Sequence, residues 1–150
     1  MNDDELVSTA RDVCIHSCAG QVDRWGFPRL ELAGQVETFL ADQPGVVRAA
    51  GWLYAPLGTD PILASELLDP TTTHADLIVP ALSASLLGVA AENIENERLW
   101  TAVAADSIAA KVGLAHVSAL AYPSRAALLE KEERYALVSG CVKIAVLLSH

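Results

Sequence analysis

The sequence predicts a mainly α-helical fold, in which residues 1–150 form a single globular domain built as a bundle of about six or seven helices. Alanine and leucine are abundant while aromatic residues make up only 5% of the chain, and alanine and leucine form helices at the lowest cost. Apolar side chains recur at three- and four-residue spacing along most of the chain. A length of 150 residues is that of one ordinary domain.

The central stretch, 73–113, predicts two successive core helices. We expect Thr73 to cap the first, which continues through an almost unbroken apolar run typical of a helix buried on several sides. The polar stretch 92–97 predicts a connection. A second helix is then expected over 97–112, with Gly113 as its C-terminal stop.

The chain before this stretch predicts three further helices separated by turns. Asn2 or Asp3 can cap the first, and Pro28 is well placed to start the second. A third, short helix is expected to begin at Asp60 and Pro61, because an acidic cap followed by proline is typical of a helix start.

Two segments, 46–54 and 135–148, are open between helix and strand, because periodicity alone cannot assign a short apolar run. If they are strands, the fold is α+β and not all-α. The second segment follows a helix expected over 125–134 and favours its continuation. The residues then expected to face inward are Tyr135, Val138, Val142 and Ala145.

Charge and the length of the apolar runs argue against two classes of partner, DNA and membranes. With 19 acidic residues against 10 lysines and arginines, the chain is poorly suited to phosphate backbones, so no DNA partner is expected. The apolar runs are too short to predict a membrane span, and the acidic start differs from the basic start of a secretory signal. We therefore expect no membrane association.

An odd count of three cysteines favours a reducing, cytoplasmic location.

The chain is unusually apolar for a small soluble protein, with 52% hydrophobic residues and a mean hydropathy of +0.32. Part of this apolar surface is expected to be covered by a partner subunit, so we expect self-association into a homo-oligomer. Small residues on one face of the second central helix, Ala102, Ala105 and Ala109, would let another backbone approach closely.

Cys14 and Cys18 have the residue type of metal ligands, but their pattern is incomplete. On a helix the two thiols share a face, while His16 points roughly the opposite way. Two thiols supply half of a tetrahedral zinc site, and the sequence contains no second cysteine pair to complete it. We expect buried, inert thiols, no metal and no cofactor.

Arg11 and His16 are separated by four residues, and this Arg-x-x-x-x-His spacing resembles the motif of HEPN ribonucleases. The resemblance covers six residues and implies metal-independent cleavage of RNA. It further implies that Arg11 would steady the phosphate charge while His16 would act as acid and base.

Four residues form the predicted ligand site, with Trp52, Tyr54 and Trp100 as an aromatic wall and Asp106 as a polar anchor. The sequence contains no glycine-rich phosphate loop, nucleophile elbow or paired-carboxylate motif, which favours a non-catalytic protein. An enzyme stays open, because catalytic groups can assemble from distant segments. The leading hypothesis is a non-catalytic binding or regulatory module that acts through an apolar groove or a protein interface. Its partner would be a protein or a small apolar ligand. Two alternatives stay open, the HEPN-like ribonuclease and a structural subunit of a larger assembly.

Overall fold

Nine helices and no β-strand make up residues 1–149, the part of the chain that the computed structural model describes. The mainly α-helical prediction is confirmed, and the α+β alternative is wrong because both ambiguous segments are helical. Within residues 1–149, every helix is too short or too polar to cross a lipid bilayer. The helices are α1 (Asp3–Cys18), α2 (Arg29–Phe39), α3 (Gly45–Thr59), α4 (Pro61–Leu67), α5 (Ala75–Ala90), α6 (Glu97–Ala104), α7 (Ser107–Leu120), α8 (Pro123–Ala126) and α9 (Lys131–Leu148).

The helix count exceeds the predicted six or seven because expected long helices are interrupted. Residues 97–112 belong to α6 and α7, since the Asp106 carboxylate accepts a 2.9 Å hydrogen bond from the backbone N–H of Ala109 and so caps α7. Gly113 therefore lies inside α7 instead of ending a helix. The helix expected over 125–134 is likewise divided between α8 and α9.

The start of α5 also differs from the prediction. His74, and not Thr73, is the cap, because its Nδ1 accepts a 3.1 Å hydrogen bond from the backbone N–H of Asp76. The Thr73 hydroxyl instead donates to the carbonyl of Glu66 at 2.8 Å. Thr73 therefore holds the connection between α4 and α5 in place.

The central helix of the bundle is α3, and its burial explains why residues 46–54 show no clear pattern. It packs most extensively against α5 and α1, and also contacts α2 and α7. Because α3 has neighbours on several sides, most of its residues are buried and no polar stripe marks a solvent face. Its N-terminus is capped from α1, where the Asp3 carboxylate accepts a 3.1 Å hydrogen bond from Gly45 N–H.

Two glycines allow α3 and α5 to approach each other closely. A Cβ added at Gly58 would lie 2.5 Å from the carbonyl oxygen of Gly88, and one added at Gly88 would lie 2.5 Å from the carbonyl oxygen of Tyr54. Only a residue without a side chain fits at either position. This contact forms one wall of the cavity described below.

The last helix, α9, packs over α7 and α6. Tyr135 and Val142, which were predicted to face inward, are 76% and 57% exposed. The buried face of α9 is formed instead by a different set of side chains, which also recurs at helical spacing. This buried set is Leu137, Cys141, Ile144 and Leu148.

Candidate functional site

Two concave sites lie on either side of Trp25, which lines both. The inner cavity has a volume of about 130 Å³, and its lining includes Asp23, Arg29, Tyr54, Gly88, Glu92 and His116. The outer groove has a volume of about 750 Å³, and its lining includes Ile94, Trp100, Tyr135, Ala136, Gly140 and Leu147.

The polar wall of the inner cavity is a chain of hydrogen bonds through His116 of α7. Its Nε2 lies 3.1 Å from the carbonyl oxygen of Ala91, and its Nδ1 lies 2.8 Å from the hydroxyl of Tyr54 on α3. A carbonyl oxygen only accepts, so Nε2 carries the proton and Nδ1 accepts the proton of the Tyr54 hydroxyl. This assignment of donors and acceptors is that of the neutral imidazole and the neutral phenol.

Burial accounts for the neutral state of both rings. It disfavours the imidazolium and lowers the pKa of His116 to about 4, a shift that the hydrogen bond to Ala91 opposes. It also disfavours the phenolate and raises the pKa of Tyr54. At neutral pH, His116 and Tyr54 therefore contribute dipoles to the inner cavity and no net charge.

Asp23 belongs to the turn between α1 and α2 and is only 7% exposed. Its Oδ1 accepts hydrogen bonds from the backbone N–H groups of Trp25 at 2.9 Å and Phe27 at 3.0 Å. Gly26 completes this turn with a φ of +85°, in the left-handed region that glycine adopts without strain. The second oxygen, Oδ2, is buried and has no hydrogen-bond partner among residues 1–149. Burial raises the pKa of Asp23, while the two backbone hydrogen bonds oppose that rise.

Two ion pairs fasten this turn and the start of α2 to the connection between α5 and α6. Arg29 pairs with Glu92 in the lining of the inner cavity. Arg24 pairs with Glu95 at 3.2 Å on the surface and donates to the backbone carbonyl of Glu92 at 2.6 Å. The charge of Arg29 is thus already matched by a carboxylate.

Trp100 of α6 lies in the wall that separates the two sites. Its indole is fully buried, its Nε1 donates to the carbonyl of Asn93 at 2.9 Å, and its ring stacks on His116 at a centroid distance of 6.4 Å. On the groove side, a Cβ added at Gly140 of α9 would collide with Ile94. Gly140 therefore lets α9 approach Ile94 closely in the lining of the groove.

Two of the four residues predicted as a ligand site line a concave site, but not the same one. Tyr54 lines the inner cavity, Trp100 lines the outer groove, and His116 contacts both rings. Trp52 is buried and lines neither site. Asp106 caps α7 and accepts hydrogen bonds from the Ser83 hydroxyl at 3.0 and 3.1 Å, so its carboxylate is occupied within the bundle.

Sequence reasoning did not select Asp23, Trp25 or His116. They come from one turn and one distant helix, and no local spacing links them. The nearest sequence signal is Gly26 between Trp25 and Phe27, which indicates a tight turn but not a cavity.

The residues predicted on α1 lie away from both sites. Arg11 and His16 are exposed, and five residues at helical spacing place them about 140° apart around the helix axis. Cys14 and Cys18 share the buried face of the same helix. Nowhere in the described part of the chain do three or more histidine, cysteine, aspartate or glutamate side chains form a group able to hold a metal ion.

No family model, curated protein or solved structure matches this chain.

The lining of the inner cavity combines hydrogen-bond acceptors and donors, because Asp23 and Tyr54 share it with Arg29 and Asn93. Both ring nitrogens of His116 are engaged, and the proton of Tyr54 is committed to His116. The phenolic oxygen of Tyr54 and Oδ2 of Asp23 therefore keep lone pairs that no described residue occupies.

Proposed function

We propose that this chain is a non-catalytic binding module and that a small apolar molecule occupies the outer groove. The observation that carries the proposal is the groove itself, because its volume of about 750 Å³ falls in the range of small-molecule sites. Ile94, Ile144 and Leu147 give its lining an apolar character. The exposed Tyr135 adds aromatic surface that stacks on flat ligands, while the Trp25 ring already carries the Arg24 guanidinium 4.6 Å from its centroid.

The charges around the groove favour a neutral or cationic ligand over an anionic one. Arg24 is engaged by Glu95, so its charge is balanced. The remaining charged lining residues are Glu97, Glu133 and Lys143, two acids against one base. An anionic ligand would meet this acidic excess on a chain whose net charge is already −9.

The test uses the neutral fluorescent probe N-phenyl-1-naphthylamine, whose emission rises in an apolar site. Ala136→Arg adds a long charged side chain to the groove lining, while Val142→Arg makes the same kind of change on an exposed part of α9 outside it. We expect wild type and Val142→Arg to bind the probe and Ala136→Arg to lose about tenfold or more in affinity. Equal binding by all three proteins would contradict the proposal.

Self-association is part of the same proposal and rests on α5. Val79, Leu82 and Val89 are each more than half exposed, and no charged residue occurs between Leu77 and Ala91. Two copies that each carry a charge of −9 repel, so an uncharged face is where they approach without opposing like charges. Such a face pairs with itself across a two-fold axis. The occupant we propose for this exposed α5 face is therefore a second copy of the chain.

Light scattering on size-exclusion-purified protein tests the self-association against the chain mass of 15.9 kDa. We expect a dimer that Leu82→Glu converts to a monomer. Leu128→Glu is the matched control, because Leu128 is also exposed, at 77%, but lies between α8 and α9. A monomeric wild type, or a dimer that resists Leu82→Glu, would overturn this part.

We further propose a cytoplasmic location. Cys14, Cys18 and Cys141 are all free thiols within residues 1–149, and unpaired cysteines are typical of reducing compartments. Fractionation of cells that produce the protein without an added targeting segment tests this, and recovery from an oxidising compartment would contradict it.

A further inference from the structure

The inner cavity holds a group of polar side chains that the proposal for the outer groove does not use. Two of its lining residues, Asp23 and Tyr54, carry acceptor oxygens with lone pairs that no described residue occupies. Asp23 Oδ2 is buried and unpartnered among the described residues, and the Tyr54 oxygen keeps lone pairs because its proton goes to His116. A buried carboxylate oxygen without a donor is costly, which calls for a donor from outside the chain.

The charges lining the cavity do not cancel. Asp23 and Glu92 are acidic, Arg29 is the one basic lining residue, and Arg29 is paired with Glu92. His116 and Tyr54 are neutral, so the charge of Asp23 remains unmatched. A cation would neutralise the charge of Asp23. An anion would be repelled by Asp23, and the Arg29 guanidinium that could attract it is already paired with Glu92.

The dimensions of the cavity limit the size of that cation. A volume of about 130 Å³ holds roughly four water molecules at ~30 Å³ each, or one group of a few heavy atoms. Gly58 and Gly88 line it without side chains, and the ring of Tyr54 provides aromatic surface that attracts cations. The Trp25 ring already has the Arg24 guanidinium 4.6 Å from its centroid. Thr59 and Asn93 line it and are exposed, so the cavity communicates with solvent on that side.

We propose that the inner cavity binds a small primary ammonium group, with Asp23 as its counter-charge and the Tyr54 oxygen as a second acceptor. A primary ammonium has three donors on a compact charge, and this matches a cavity with open acceptor oxygens and one unmatched carboxylate. Methylammonium is the smallest carbon-containing member of the class.

The test is a titration of isotope-labelled protein with methylammonium chloride, followed by amide chemical shifts. Sodium chloride at equal ionic strength is the salt control, and sodium acetate is the anionic counterpart. We expect saturable shifts around Asp23, Tyr54 and Gly88 with methylammonium alone. Asp23→Asn keeps an oxygen for the two backbone donors of the turn and removes the charge, so it is expected to weaken binding about tenfold or more.

Glu95→Gln is the matched control, because it neutralises an exposed acid that lies outside the inner cavity and is expected to leave methylammonium binding unchanged. Thr59→Lys is a second variant at an exposed lining position, so it keeps the buried turn intact. Its own ammonium is expected to occupy the cavity and block methylammonium. Shifts no larger than those of sodium chloride would mean that the cavity holds water only and would overturn the proposal. Binding that survives Asp23→Asn or Thr59→Lys would place methylammonium elsewhere and would overturn it as well. Neither variant lines the outer groove, so the naphthylamine test is independent of this result.

Discussion

The Tyr54 hydroxyl donates a 2.8 Å hydrogen bond to Nδ1 of His116, and their rings meet edge to face with centroids 5.2 Å apart. His116 also donates a hydrogen bond to the carbonyl of Ala91. The two hydrogen bonds of His116 therefore connect α3, α7 and the end of α5 at one buried point. The same imidazole stacks on Trp100. The wall between the inner cavity and the outer groove is therefore also a junction of the bundle.

Removal of the Tyr54 hydroxyl is expected to destabilise the fold. Tyr54→Phe leaves the buried Nδ1 of His116 without a donor, which costs about 1–3 kcal/mol in the free energy of unfolding. Urea denaturation measures the change. Tyr135→Phe is the control, because Tyr135 is 76% exposed and its change should stay within about 0.5 kcal/mol of wild type. Equal effects of the two substitutions would contradict the role given to the Tyr54–His116 bond.

His116 is expected to make stability depend on pH. Its pKa is lowered to about 4 in the folded chain from 6.5, so between these values the unfolded state binds more protons. Stability from this group is complete above pH 6.5 and is lost as the pH falls toward 4. Each unit of pKa difference is worth about 1.4 kcal/mol, so the loss is about 3 kcal/mol.

Urea unfolding at a series of pH values tests this dependence. His116→Gln should flatten the slope between pH 6.5 and 4, while His16→Gln, at an exposed histidine on α1, should retain it. The comparison also distinguishes the effect of His116 on stability from that of Asp23. The raised pKa of Asp23 makes stability increase, and not decrease, as the pH falls. A slope that is unchanged in His116→Gln would show that other groups cause it.

Replacement of glycine by alanine is expected to destabilise the fold at the contact between α3 and α5 and to stabilise it in α2. Gly58→Ala places a Cβ 2.5 Å from the Gly88 carbonyl oxygen, so the helices must separate at a cost of about 1–3 kcal/mol. Gly34→Ala in α2 meets no atom within 4 Å and should stabilise by about 0.5–1 kcal/mol. Thermal unfolding of both variants provides the measurement. Stabilisation by Gly58→Ala would disprove the close approach.

The three thiols are expected to be unreactive in the native protein. Cys14 and Cys18 are fully buried, Cys141 is 3% exposed, and burial raises the pKa of Cys141 to about 12. Ellman's reagent at neutral pH should therefore detect thiols only after urea is added. A thiol that reacts at once in native protein would contradict the packing of its helix.

The sequence was most informative where helix ends carry local signals. Asn2 caps α1 by accepting from the Glu5 N–H at 2.8 Å, and Asp60 with Pro61 begins α4, both as predicted. Asp106 was placed inside a helix because alanines surround it, and nothing in that composition shows that its carboxylate caps α7. Tertiary contacts decide such cases, as they do for α3, whose burial on several sides removes any periodic pattern.

The candidate sites were less predictable than the helices. Tyr54 and Trp100 were predicted as aromatic residues of a site, while His116, the residue that contacts both rings, was not part of that prediction. Asp23 and His116 are 93 positions apart in sequence, so only the packing of α3, α5 and α7 brings them to one cavity. A single sequence contains no signal for such long-range proximity.

The most direct measurement for the central claim, that the outer groove is the ligand site, is an amide chemical-shift map recorded with N-phenyl-1-naphthylamine. We expect the largest shifts at the Trp25 indole and at the amides of Gly140 and Leu147, on the two sides of the groove. Shifts confined to the exposed α5 face, or spread evenly over the surface, would contradict the claim.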